Sequence, residues 1–308
     1  MKPNYSITIN DLKYKKMKNL DISKISTFDK TNKEEYSKEL ENLLNQNLDT
    51  MEYRLHECFI KNNGKILDLK HLELKEFPKL PQELFNTLEE LYISNNNLLE
   101  LPDLDKFIKL IILDVSVNNL KKLNKLPKNL IEFCCFENEL TDITSVYNCK
   151  LLKILYINKN NIIDLRFLEG HPNLEILFAN YNKIEEIPKN LPKIRKIQIT
   201  NNKLNKIYSY FNLIYLDCRN NNIIQLEHQE NLRDLIISHN KQLKEIPIMD
   251  TLRYLEIVFT GIEKIKYMKK LQELICIKDS IKYISSKYKI NKSVNHNSKF
   301  LNLFFITD

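Results

Sequence analysis

Glycine is scarce in this chain of 308 residues, with only Gly64, Gly170 and Gly261 present. They stand far apart, so no glycine-rich loop cradles a phosphate or dinucleotide. No G-x-S-x-G nucleophile elbow occurs. The six histidines are dispersed and none falls in an H-E-x-x-H pattern. The six cysteines stand singly apart from Cys134 and Cys135, and no C-x-x-C pair offers a metal site or a disulfide cap. Such cysteines fit a reducing compartment. No apolar run reaches the roughly 18 residues of a membrane-spanning helix. The opening Met1-Lys2-Pro3-Asn4-Tyr5-Ser6 lacks a leader's apolar core, so an intracellular, cytoplasmic location is expected. No cofactor, metal or catalytic constellation is expected, and an enzyme is the least supported class.

What the chain has is a period. Asparagine recurs at Asn96, Asn118, Asn138, Asn160, Asn182, Asn202, Asn221 and Asn240. Each follows the same apolar frame. Leu88, Leu91, Ile93, Asn96, Leu98 and Leu101 show it in full, as L-x-x-L-x-L-x-x-N-x-L-x-x-L. The first position falls at Gly64, Leu88, Leu110, Leu130, Leu152, Leu174, Ile194, Leu213, Leu232, Leu252 and Leu271. Alternation at positions four to six predicts a short strand with one buried face. A period near 20 residues means one supersecondary unit stacked on copies of itself. The asparagine has the donors and the acceptor to satisfy turn backbone that stacking would bury, so its expected role is structural. The outer copies decay: Leu72, Thr260 and Asp279 stand where asparagine is expected, and one residue is inserted after Asn240.

This pattern resembles the leucine-rich repeat family over residues 64–285. The resemblance implies an α/β solenoid: a curved parallel sheet on the concave side, an irregular or short 3-10 convex side, and an N-terminal helical cap. Leu101-Pro102, Leu126-Pro127, Ile187-Pro188, Leu191-Pro192 and Ile246-Pro247 suit an irregular return path. The shorter repeats look like the bacterial-effector subtype and the longer ones like that of intracellular regulatory subunits. The composition, rich in Leu, Ile, Asn and Lys, looks like family members from giant viruses or other AT-rich genomes; a viral or effector protein would act in a host cytoplasm.

Three regions are expected. Residues 1–63 carry helical spacing from about 33 to 60 (Tyr36, Leu40, Leu43, Leu44, Leu48, Met51, Leu55, Phe59), an amphipathic capping helix. The repeats follow, and residues 286–308, with the apolar run Phe300–Ile306, form a C-terminal cap.

The net charge of +7 raises nucleic acid as a ligand. The frame tests this. The third, fifth, seventh and eighth positions are expected to face outward on the concave side. They hold Asp68, Glu90, Asp114, Glu132, Glu137, Asp217, Asp234, Glu256 and Glu273 against Lys70, Lys159, Lys196, Arg219 and Lys278. This face is therefore acidic, and nucleic-acid binding is left to lysines of the convex side. The same positions hold Tyr92, Phe136, Tyr156, Phe178, Tyr181, Tyr215, Tyr254 and Phe259. Exposed aromatics favour binding surfaces, although aromatics also pair across strands merely to stiffen a sheet. The expected function is a non-enzymatic protein-interaction scaffold. Its expected partner surface is Tyr92, Asp114, Glu132, Phe136, Glu137, Tyr156, Phe178, Tyr181 and Tyr215. The alternative is a regulatory subunit that docks a catalytic protein through its N-terminal helix.

Overall fold

The computed structural model describes residues 50–277, 280–293 and 301–307. Helix α1 (Met51–Asn62) opens the described region. The strands that follow are β1 (Ile66–Asp68), β2 (Glu90–Tyr92), β3 (Ile112–Asp114), β4 (Glu132–Cys134), β5 (Ile154–Tyr156), β6 (Ile176–Phe178), β7 (Lys196–Gln198), β8 (Lys206–Ile207), β9 (Tyr215–Asp217), β10 (Gln225–Leu226), β11 (Asp234–Ile236), β12 (Tyr254–Glu256), β13 (Lys264–Ile265), β14 (Glu273–Ile277), β15 (Tyr283–Ile284), β16 (Lys289–Ser293) and β17 (Leu301–Thr307).

The main sheet runs β1-β2-β3-β4-β5-β6-β7-β9-β11-β12-β14-β17-β16. Its pairing register is the sequence frame. Fourth-position residues oppose one another from Leu67 through Leu91, Leu113, Phe133, Leu155 and Leu177. The column continues through Ile197, Leu216, Leu235, Leu255 and Leu274. All of these side chains are buried, as is the sixth-position column that includes Ile93, Val115, Cys135, Ile157 and Ala179. One inward residue per three-residue strand and one just after it leave a core that only stacking can close. At the far end β17 pairs antiparallel with both β14 and β16.

The convex side is made of short pieces. Single 3-10 turns occupy Gln82–Asn86, Thr144–Asn148 and Arg166–Leu168. In the later turns, two-residue parallel pairs β8–β10 and β13–β15 replace them. Each return segment contributes a buried residue to a second column, among them Phe107, Cys149, His171, Tyr210, Gln229 and Met249.

Three expectations need correction. The helix expected from about 33 to 60 does not run through Thr50, which is extended (φ −113°, ψ 165°) and caps helix α1 by accepting from Tyr53 N at 3.3 Å. The part before residue 50 lies outside the described residues. Helix α1 turns Leu55, His56 and Cys58 inward and packs on the β1 end of the core, so the described segment acts as a cap. Second, the seventh position does not face outward throughout. Ser94, Ser116, Thr200, Ser238 and Val258 are buried there, because the chain is already turning back over the core. Third, Asp217 at a fifth position is buried, held by Arg219.

The eighth position has a character of its own. His71, Asn95, Val117, Glu137, Lys159, Tyr181, Asn201, Asn220, His239 and Phe259 all lie in the left-handed region, with φ between 52° and 61°. The turn requires a positive φ once per repeat, and no glycine supplies it.

Candidate functional site: the concave face

The third- and fifth-position side chains line the open face of the sheet. At its centre Tyr156 and Phe178 stack with ring centroids 4.8 Å apart and planes 5° from parallel. Their pairing follows from register, since β5 and β6 place the two residues opposite each other. The Lys196 ammonium lies 5.0 Å from the Phe178 ring and 4.9 Å from the Tyr215 ring. Gln198 Nε2 donates to Tyr215 Oη at 3.3 Å. Tyr156, Phe178, Lys196 and Tyr215 thus form one continuous row across β5, β6, β7 and β9. All four are half-buried by their neighbours. Burial, then the nearby Glu132 carboxylate, raises the Tyr156 phenol above its ordinary pKa.

Toward β2 the face is acidic. Tyr92 Oη donates to Glu90 Oε2 at 2.7 Å, and Lys70 lies 4.9 Å from its ring. Burial and the Glu90 hydrogen bond hold the Tyr92 phenol well above its ordinary range. Asp114 accepts from Ser116 N at 3.0 Å and from Ser116 Oγ. Cys134 Sγ sits 3.7 Å from Glu132 Oε1. Burial, Asp114 and Glu132 push its thiol far up, so the thiolate a nucleophile needs is disfavoured.

Ion pairs sharpen the acidic character. Lys70 pairs with Asp68 at 3.1 Å, Lys159 with Glu137 at 2.7 Å and Arg219 with Asp217 at 2.7 Å. Lys278 lies outside the described residues. Glu90, Asp114, Glu132, Asp234, Glu256 and Glu273 have no cationic partner among the described residues, which leaves Lys196 as the one unpaired cation among the concave positions described.

The nine expected partner residues do not form one cluster. Tyr92, Asp114, Glu132, Tyr156, Phe178 and Tyr215 share the strand face, while Phe136 is half-buried at a seventh position. Glu137 and Tyr181 project from left-handed eighth positions at the strand ends, with Tyr181 56% exposed. There Tyr181 helps line a second feature, a groove of about 600 Å³ bounded also by Arg219, His239, Glu256 and Phe259. His239 and Phe259 touch at 4.8 Å, and Phe259 is 52% exposed. His239 therefore belongs to this groove. The signal that would have found it is the eighth position itself, which projects every occupant.

Among the described residues no group of His, Cys, Asp and Glu is placed to hold a metal ion, and no helix is long and apolar enough to cross a membrane.

A stack of short parallel strands with an asparagine-pinned turn defines a solenoid of the leucine-rich repeat class. No family model matches the chain. Similar proteins carry the class name. A leucine-rich repeat protein of Acanthamoeba polyphaga mimivirus is 32% identical over 171 residues, 55% of this chain and 34% of the relative. An Arabidopsis thaliana protein, named as the homolog of a protein phosphatase 1 regulatory inhibitor subunit, is 30% identical over 108 residues, 34% of this chain and 33% of the relative. The chain thus spans about a third of the length of these curated relatives. Among solved structures, YopM from Yersinia enterocolitica superposes with a TM-score of 0.54 at 21% identity, covering 82% of this chain and 70% of that one. The fold of this chain is that of a leucine-rich repeat protein.

Proposed function

We infer that the concave face recognises a protein partner, with the Tyr156–Phe178 pair as its centre. One observation carries this: two aromatic rings are stacked and open on the sheet face, beside carboxylates, Asp114 and Glu132, that no described cation neutralises. Solenoids offer extended concave surfaces of this kind for binding. Aromatic anchors concentrate binding energy, and unpaired acids beside them favour a partner with basic residues at its rim. Tyr92 and Tyr215 extend the surface along the sheet. Tyr181, with Phe259, extends it to the strand ends.

The test compares affinity capture by the wild type and by the double variant Tyr156→Ser/Phe178→Ser, after circular dichroism shows that both fold. A partner held by the wild type and lost by the variant is expected, the loss of two anchors amounting to about 2–4 kcal/mol. Capture of the same proteins by both would overturn the inference.

One finding favours a second role, regulation of a catalytic partner: the Arabidopsis relative is named as a homolog of a phosphatase regulatory subunit. Helix α1 spends its inward face on the core, so docking by it would use the opposite face or the residues before it. Deleting residues 1–30 should then remove one interaction and leave the repeats folded. Collapse of the fold would assign that region to capping instead.

A further inference from the structure

Arginine is rare here. The 47 basic residues include only six arginines: Arg54, Arg166, Arg195, Arg219, Arg233 and Arg253. The structure sorts them into two sets of three. Arg54 pairs with Asp68 at 3.6 Å, Arg166 with Asp164 at 2.7 Å and Arg219 with Asp217 at 2.7 Å. Arg195, Arg233 and Arg253 have no acid within ion-pair reach among the described residues. All three occupy the second position of the frame, which precedes the strands and lies along one lateral edge of the sheet. Backbone hydrogen bonds hold these positions in consecutive turns: Ile214 N to Arg195 O at 2.8 Å, Arg233 N to Ile214 O at 2.9 Å and Arg253 N to Arg233 O at 2.8 Å.

The three unpaired arginines line a single groove of about 580 Å³ together with Lys193 and Lys270. Lys193 donates to the neutral Asn173 Oδ1 at 2.8 Å, and Lys270 has no acid within reach among the described residues. Glu175 is the one acid in the lining. Five cations thus converge on one lateral groove of a molecule whose concave sheet face is acidic. Guanidinium groups held without partners are planar forks matched to carboxylates.

We propose that this rim groove binds a short, extended acidic segment of a protein. The dimensions fit. From the turn of Lys193 to that of Lys270 is four strand spacings, or ~19 Å, about the length of six extended residues at ~3.3 Å each. The lining argues against a nucleic-acid strand. It contains no aromatic ring on which a base could stack. Nor does the basic stripe continue along the solenoid: the second-position column runs back from Glu175 to Lys153 and then to Ile131, Ile111 and Glu89. The groove lies off the concave row, so this proposal stands apart from the one above.

The test is fluorescence anisotropy on the full chain with labelled hexaglutamate, with hexaglutamine and a labelled thymidine 12-mer as comparison ligands. Hexaglutamate should bind at low salt and hexaglutamine should not. The triple variant Arg195→Gln/Arg233→Gln/Arg253→Gln should lose about tenfold or more in affinity. An equal change of charge elsewhere, Lys121→Gln/Lys122→Gln/Lys203→Gln, should cost less than about twofold. The triple arginine-to-lysine variant keeps the charge and should still lose several-fold, because the forked contact is gone. Circular dichroism checks each variant's fold, and all the substituted side chains are exposed. Three results would overturn the proposal: no hexaglutamate binding, equal losses in the two glutamine variants, or tighter binding of the 12-mer that falls in the arginine variant.

Discussion

Asn118 shows what one side chain does in this fold. Its Oδ1 accepts from Leu98 N at 2.9 Å, in the preceding turn. Its Nδ2 reaches Ile93 O at 3.1 Å, also in the preceding turn, and Val115 O and Ser116 O in its own. Asn160 repeats the arrangement with Leu140 N, Cys135 O, Ile157 O and Asn158 O. Removing such a group strands buried backbone on both sides of a turn. Asn160→Ala should therefore destabilise the protein by roughly 1–3 kcal/mol, read as a lower urea midpoint. This ladder was legible because one residue type recurs in a fixed frame. The left-handed eighth position was not, because Val117, Glu137, Lys159, Tyr181, His239 and Phe259 share no chemistry that marks a positive φ. Val117 is the least suited of them, since its β-branch crowds the turn. Val117→Asn should raise the denaturation midpoint by an amount equivalent to about 1 kcal/mol.

At the level of the repeat, the return segment has its own polar supports. Tyr210 Oη donates to Pro188 O at 2.6 Å. Gln229, wholly buried, accepts from Tyr210 N at 3.0 Å and donates to Tyr208 O at 2.7 Å. A second asparagine column precedes the frame. Asn129, Asn173, Asn212 and Asn231 donate to the carbonyls of Ile108, Lys150, Phe211 and Pro192 in the order Asn129–Ile108, Asn173–Lys150, Asn212–Pro192 and Asn231–Phe211. It was written in the sequence as a recurrent Asn-Leu pair, overshadowed by the stronger ninth-position signal. His171 belongs to the same convex layer. Its Nε2 lies 3.1 Å from Cys149 O, and its Nδ1 is buried without a protein partner. Burial lowers its pKa from 6.5, against a smaller opposing effect of the Cys149 carbonyl. The unfolded chain therefore takes up the proton first, and stability falls as pH drops below about 6.5, levelling off below the folded pKa. Denaturation midpoints measured from pH 7.5 to 5 should fall in the wild type and fall less in His171→Gln. Helix α1 was legible in its apolar spacing but not in its start at Thr50, because the spacing of buried residues says nothing of a cap.

For the whole molecule, register told from sequence which side chains share a face. It placed Tyr156 beside Phe178 and made the concave side acidic. It could not show which acids are neutralised, since Lys70, Lys159 and Arg219 each reach their acid by side-chain conformation. Nor could it show that the face ends before the seventh position, where the backbone starts its turn. The rim arginines escaped notice because the second position lies outside the strand alternation. Two surfaces of opposite charge now stand side by side. Raising salt should weaken hexaglutamate binding at the rim more than it weakens a partner anchored by the Tyr156–Phe178 stack, because screening acts on exposed charge and not on apolar burial. A titration of both complexes from 50 to about 300 mM salt checks this.

The asparagine ladder runs unbroken from Asn96 to Asn240 and then stops. Thr260 donates to Ile257 O and accepts weakly from Ile262 N, both within its own turn, so no side-chain rung joins it to the turn before. Gly261 meets the inserted loop there, where an added Cβ would stand 2.8 Å from Lys241 O. The junction between the turns of Asn240 and Thr260 thus lacks its asparagine rung and is a partial seam, crossed by the backbone ladder and by Ser238 Oγ, which accepts from Val258 N and donates to Glu256 Oε1, both at 2.8 Å. In a solenoid held only by nearest neighbours, a seam is where unbuttoning starts. Amides in residues 252–277 should exchange with solvent as a separate, faster block than those of residues 130–240, and a pulling force applied along the solenoid should part it first at this junction.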